Sequence, residues 1–153
     1  MKLPLTGACQ CGAVAYAIAA EPITVYACHC RDCQRQTGAA FALSMLVPRA
    51  SIGITRGAPR QWVRPAEHAV SGMPTTCLLC GTCGNRLYHL PSRNSEIAIV
   101  KPGTLDDASW LACVGNIWTD HAQPWVDIPA TAVNFPRQPP DFAAFAAAWR
   151  RRR

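Results

Sequence analysis

The sequence predicts a mainly β, antiparallel domain with one or two short helices. Three observations carry this. Thirteen prolines and ten glycines punctuate the whole length, which favours short strands and turns over long helices. Strand-length apolar runs recur between those breaks. Nine cysteines fall in tight groups, so the turns have a chemical reason to be where they are.

The runs at 13–18, 23–28, 41–47, 61–64, 86–90, 96–100 and 112–118 read as strands. One helix is expected from Arg31 to Thr37, ended by Gly38 as a left-handed C-cap. A second is expected over 141–149. Asp141 suits its N-cap, and Phe142, Phe145 and Trp149 share one face, as core packing requires. No linker, repeat or low-complexity block interrupts the chain, so residues 1–153 are expected to form one domain.

Half the residues are apolar, yet none of the runs approaches the roughly 20 residues of a membrane-spanning helix. Pro4, Thr6, Gln10 and Gly12 break the N-terminal run, and cleavage near Ala20 would discard Cys9 and Cys11. The expectation is a cytoplasmic protein without a membrane partner. The net charge is +6, and Arg150 to Arg153 supply four of the positive charges. A short arginine tail without interleaved aromatics reads as a solvated end, not a nucleic-acid groove. An odd number of cysteines in a reducing compartment points to metal binding or catalysis, not to disulfides.

Cys80-Gly81-Thr82-Cys83-Gly84 has the spacing of a zinc half-site: two sulfurs turn inward on one loop, and the glycine allows a close backbone turn. Cys9 and Cys11 are two apart, so on an extended segment both thiolates face the same way. The two pairs together supply the four thiolates of a closed structural zinc site.

Cys28, Cys30 and Cys33 place three more thiolates in one bend. Three protein ligands leave a zinc ion with an open position. Three thiolates also leave the ion anionic and a modest Lewis acid, better suited to a thiol substrate than to making hydroxide. Two other readings stand beside this one. Cys77, Cys113 or His29 could close the site, or the second ion could be absent. His29 alternates with Cys28 and Cys30, so on an extended segment it points away from them. Cys113 lies in an apolar run, where a buried inert thiol is expected.

Four segments carry a family resemblance. They are Gly7–Val14, Cys28–Phe41, Cys80–Leu87 and Gly103–Asp107, and they are similar in order and spacing to the glutathione-dependent formaldehyde-activating enzymes, a family that includes centromere protein V. The resemblance runs over roughly residues 5 to 130. It implies several small coiled antiparallel sheets around two zinc ions. Cys9, Cys11, Cys80 and Cys83 would hold the structural ion, and Cys28, Cys30 and Cys33 the catalytic one. The implied reaction is the condensation of formaldehyde with glutathione to S-hydroxymethylglutathione, a carbon–sulfur lyase chemistry. The alternative is a non-catalytic, zinc-stabilised interaction module.

Arg31, Arg35 and Arg86 adjoin the motifs; Arg31 and Arg35 are the expected partners of the glutathione carboxylates. Two departures from the family pattern stand out. Asn116 takes the place of a histidine before Ile117-Trp118, and Cys77 is an additional thiol.

Overall fold

The computed structural model describes residues 1–152. In chain order the strands are β1 (Leu5–Ala8), β2 (Ala15–Ile18), β3 (Thr24–Cys28), β4 (Ala42–Pro48), β5 (Ile52–Arg56), β6 (Arg60–Arg64), β7 (Thr75–Leu79), β8 (Arg86–Pro91), β9 (Ile97–Val100), β10 (Gly115–Ile117) and β11 (Val133–Phe135). Helix α1 (Arg31–Thr37) follows β3, and α2 (Ala143–Arg151) follows β11.

The mainly β class with two helices is what the structure shows. The strands form two sheets, a three-stranded one ordered β1-β2-β5 and an eight-stranded one ordered β11-β10-β3-β4-β9-β8-β7-β6. Their pairing is antiparallel except at one edge, where β10 runs parallel to both β3 and β11. β10 is also shorter than the apolar run suggests. Its ladder begins only at Gly115, which leaves Cys113 exposed in the preceding loop, its Sγ donating to the Gly115 carbonyl at 3.2 Å. The buried, inert role expected of Cys113 is therefore corrected: an apolar run continues as a strand only where partner backbone is present.

Apolar residues alternate to two faces of the larger sheet and build two core clusters. Val25, Met45, Val47, Ala98 and Val100 join Leu5, Tyr16 and Ile18 of the small sheet in one, which also contains Cys9 and Cys80. Tyr26, Leu46, Ile99 and Ile117 form the other with Cys28, Cys30 and Cys33. Thus Cys9 and Cys80 sit in one core and Cys28, Cys30 and Cys33 in the other.

Helix α1 has the bounds expected, and Gly38 closes it at φ 64°. Helix α2 begins two residues after Asp141, whose Oδ1 accepts from the Ala143 N–H at 2.8 Å, so the carboxylate still satisfies one orphan donor. The aromatic stripe packs as read. Phe145 and Trp149 are buried, and Tyr26 lies 5.0 Å from Phe142 and 5.6 Å from Phe145 between ring centroids. Truncating a buried ring such as Phe145 to alanine costs about 3–5 kcal/mol.

Candidate metal centres and the cleft beside the second

The first centre is assembled by two turns of the same design. The Cys9 N–H donates to the Val14 carbonyl at 2.9 Å, and the Cys80 N–H donates to the Asn85 carbonyl at 2.9 Å. In each turn the second cysteine is followed by a glycine in the left-handed region, Gly12 at φ 74° and Gly84 at φ 73°. A side chain there would be strained, and without that twist the turn could not bring its amides back over the sulfurs. The Val14 N–H duly donates to Cys9 Sγ at 3.3 Å.

The four sulfurs of Cys9, Cys11, Cys80 and Cys83 lie within 4.8 Å of one another. Cys11 Sγ is 3.6 Å from both Cys9 Sγ and Cys80 Sγ. Tetrahedral zinc with Zn–S near 2.3 Å separates its sulfurs by about 3.8 Å, so this set can hold such an ion. The Cys83 and Thr82 N–H groups point at Cys80 and bring its thiol down to about 6. Backbone N–H donation from Asn85 lowers Cys83 as well. The local backbone is thus already arranged for thiolates.

The second centre lies where β3 runs into α1. Cys28 ends the strand, Cys30 is the helix N-cap and Cys33 is in the first turn. Cys30 Sγ accepts from the Cys33 N–H at 3.4 Å, and the sulfurs of Cys28 and Cys30 are 3.5 Å apart. All three sulfurs lie within 4.8 Å, and among the described residues no fourth histidine, cysteine, aspartate or glutamate joins them. The group shares its protons unequally. Hydrogen bonds from Cys28 and Cys30 hold Cys33 well below the usual thiol value, with Lys101 and Arg86 adding their charge, while Cys28 is pushed up.

None of the three candidate closing ligands joins the cluster. His29 is fully buried and turned from the thiolates, its Nε2 3.0 Å from Asn116 Oδ1. Cys77 is buried on β7, with Gln36 Nε2 donating to its sulfur at 3.9 Å. Cys113 is in the exposed loop already described.

The second cluster opens on a cleft of about 540 Å³. Its floor is one face of the large sheet and its walls include Arg64, Arg86, Arg93 and His89. Asp32, between the cysteines, pairs with Arg64 at 3.0 Å and accepts from the Val70 N–H at 2.8 Å. These two contacts tie the end of β6 and the segment after it to the helix that carries Cys33. Lys101 is buried nearby and donates from Nζ to Ser44 Oγ on the floor at 3.1 Å. Burial brings Lys101 down to about 8, and Arg86 adds to the shift against the opposing pull of Cys33 and Cys28.

Arg31 and Arg35 are exposed and outside the cleft lining. Helix α1 turns Asp32, Cys33 and Gln36 to the cleft, which puts residues 31 and 35 on its outer side. Arg31 instead bonds Gln34 Oε1 along the helix. Of the three arginines beside the motifs, Arg86 alone lines the cleft. Arg64, Arg93 and His89 had no local signal, because only the assembled sheet brings them to the same cleft as the cysteines. Of the basic tail, Arg150 and Arg151 are exposed and the Arg152 guanidinium stacks 3.4 Å from the Trp149 ring centroid; Arg153 lies outside the described residues. Among the described residues no helix is long and apolar enough to cross a membrane.

A closed four-cysteine set anchored in one core by Cys9 and Cys80, with Cys11 and Cys83 exposed, and an open three-cysteine set at a cleft define a β protein with two candidate thiolate metal centres. Residues 4–121 match the family model for glutathione-dependent formaldehyde-activating enzyme. The match covers most of the chain, which belongs to that family. A crystal structure of a Rhodobacter sphaeroides protein is similar in fold, with a TM-score of 0.53 and 22% identity over 67% of this chain and 89% of that one.

Proposed function

We propose that the protein catalyses addition of the glutathione thiol to an aldehyde carbon, with formaldehyde the family's type substrate, as a carbon–sulfur lyase-type enzyme with two zinc ions. The observation that carries this reading is the second centre. It has three buried thiolates, no fourth protein ligand among the described residues, and a cleft of about 540 Å³ with three arginines in its walls.

Cys28, Cys30 and Cys33 are the catalytic metal ligands. A zinc ion held there supplies a soft Lewis-acid position suited to a thiol sulfur. Arg64, Arg86 and Arg93 are the cations that face the cleft, and guanidinium forks suit the two carboxylates of glutathione. They take the role expected of Arg31 and Arg35. In the reaction a sulfur–carbon bond forms, the carbonyl π pair moves to oxygen, and the thiol proton ends on that oxygen. Lys101, on Ser44 Oγ beneath the cleft floor, adds positive charge near the second centre, which favours an oxygen that becomes negative there. Holding both reactants in one cleft supplies much of the acceleration.

Exchange NMR on glutathione and formaldehyde, with catalytic amounts of zinc-loaded protein, tests the reading. Adduct formation should outrun the spontaneous rate, and the excess should vanish with Cys30→Ser. A Cys30→Ser protein at full rate would place the chemistry elsewhere.

A further inference from the structure

Strand register lays the cleft floor out in rows. Cys28 faces Ala42 in the row nearest α1, and Tyr26 faces Ser44 in the next. Leu46 faces Thr24 on one side and Ile99 on the other, and Pro48 faces Ile97 a row beyond. Residues opposite one another, or two apart along a strand, share a face, and each row lies roughly 7 Å farther along. Leaving the thiolates, the floor is therefore polar for one row, where Ser44 meets Lys101, and then apolar along β4 and β9, with His89 of β8 beside Ile99.

Ile23 adjoins that far part, its N–H donating to the Leu46 carbonyl at 2.8 Å, while Phe142, packed on Tyr26, and Met73 also line the cleft. Leu46 and Ile99 belong to the same buried cluster as the three cysteines, with Ile23, Ile97 and Phe142 packed against it. Reactive sulfurs and apolar wall are thus one continuous surface.

Glutathione is a polar, doubly carboxylated peptide, and its match in this cleft is the arginines. It has nothing to cover Leu46, Ile99 and Ile97. Formaldehyde does not either: it has no carbon beyond the carbonyl and fills only about one water's share, on the order of 30 Å³. An apolar wall beside a reacting centre contributes only when a substrate group displaces its water.

We propose that the aldehyde partner is an aliphatic or aryl aldehyde whose apolar group lies along Leu46, Ile99 and Ile97. This rests on the thiol-addition reading above. The product is an S-(1-hydroxyalkyl) thiol: the sulfur–carbon bond forms, the carbonyl π bond opens onto oxygen, and the thiol proton transfers to it. No oxidant or reductant is needed.

The test compares formaldehyde, acetaldehyde and heptanal with glutathione and zinc-loaded protein, each as the ratio of catalysed to spontaneous rate. A buried methylene is worth roughly three- to ten-fold, so heptanal should exceed formaldehyde by at least ten-fold. Ile97→Glu should cut the heptanal-to-formaldehyde ratio by ten-fold or more, and Phe142→Ser, measured independently, should lower the same ratio. S-hexylglutathione should inhibit at least ten-fold better than S-methylglutathione. Equal ratios for formaldehyde and heptanal would overturn this inference and leave thiol addition standing. Acceleration of no aldehyde at all would overturn both.

Discussion

His29 Nε2 and Asn116 Oδ1 lie 3.0 Å apart in a fully buried setting, on the side of β3 away from the thiolates. Asn116 Nδ2 is already committed, donating to Asn134 Oδ1 at 2.9 Å. Its oxygen must therefore accept, which puts the imidazole proton on Nε2. The asparagine that departs from the family pattern thus links β10 to the residue between Cys28 and Cys30 and orients its ring.

Asn116→Leu removes that acceptor and leaves the buried His29 N–H and the half-buried Asn134 amide oxygen unpaired. Loss of about 1–3 kcal/mol is expected from an unsatisfied buried group, read as a lower urea midpoint at unchanged slope. A midpoint equal to that of the parent would show that the link carries no stability.

The two centres should fail differently. Cys9 and Cys80 lie inside the core between the sheets, so Cys80→Ser removes both a ligand and the ion that ties two distant turns together. It should lower stability far more than a change at the second centre does. Cys30→Ser alters a three-ligand set at a cleft and should leave a folded protein holding one zinc ion where the parent holds two. Circular dichroism with metal analysis separates the cases. A folded Cys80→Ser protein that keeps both ions would contradict the structural assignment.

Much of this was legible in the cysteines. Spacing alone paired Cys9 and Cys11 with Cys80 and Cys83, because turn geometry is local and four thiolates complete a tetrahedron. The bounds of α1 were legible for the same reason, since Gly38 marks its end. The cleft was not. Arg64 reaches Asp32 only because β6 is four strands beyond β4 in the sheet, and no local pattern encodes that order. The parallel edge at β10 was equally hidden, and with it the exposure of Cys113. Short strands such as β5 and β7 escaped because prolines, glycines and charges at their flanks look like loop until the partner strand is placed.

The metal-free protein should show a pH response centred on Cys80. Its thiol is held at about 6, first by the Cys83 N–H and then by the Thr82 N–H, against the ordinary value of 9.0. A thiol held lower in the folded chain favours folding above the unfolded value, and that contribution fades as pH falls through about 6. Between those limits stability should rise with pH, since the unfolded chain binds the extra proton. Thiolate absorbance of the metal-free protein should contain a step near 6 that Cys80→Ala lacks. If the step persists in that variant, another cysteine owns it.

The Asp32–Arg64 pair offers the sharpest test of how the ligand helix is held. Its members are 3.0 Å apart with side-chain exposures of 8% and 14%, and Asp32 also accepts from the Val70 N–H. Removing one partner leaves a buried charge alone, which costs about 3–5 kcal/mol, whereas removing both charges can be nearly neutral. Arg64→Leu should therefore destabilise more than Asp32→Asn combined with Arg64→Leu, with a coupling energy above about 1 kcal/mol in a double-mutant cycle. Because Asp32 lies between Cys30 and Cys33, Arg64→Leu should also speed zinc loss to a chelator from the second centre while the first keeps its ion. Additive unfolding energies with unchanged zinc release would show that the pair neither stabilises the fold nor holds the ligand helix in place.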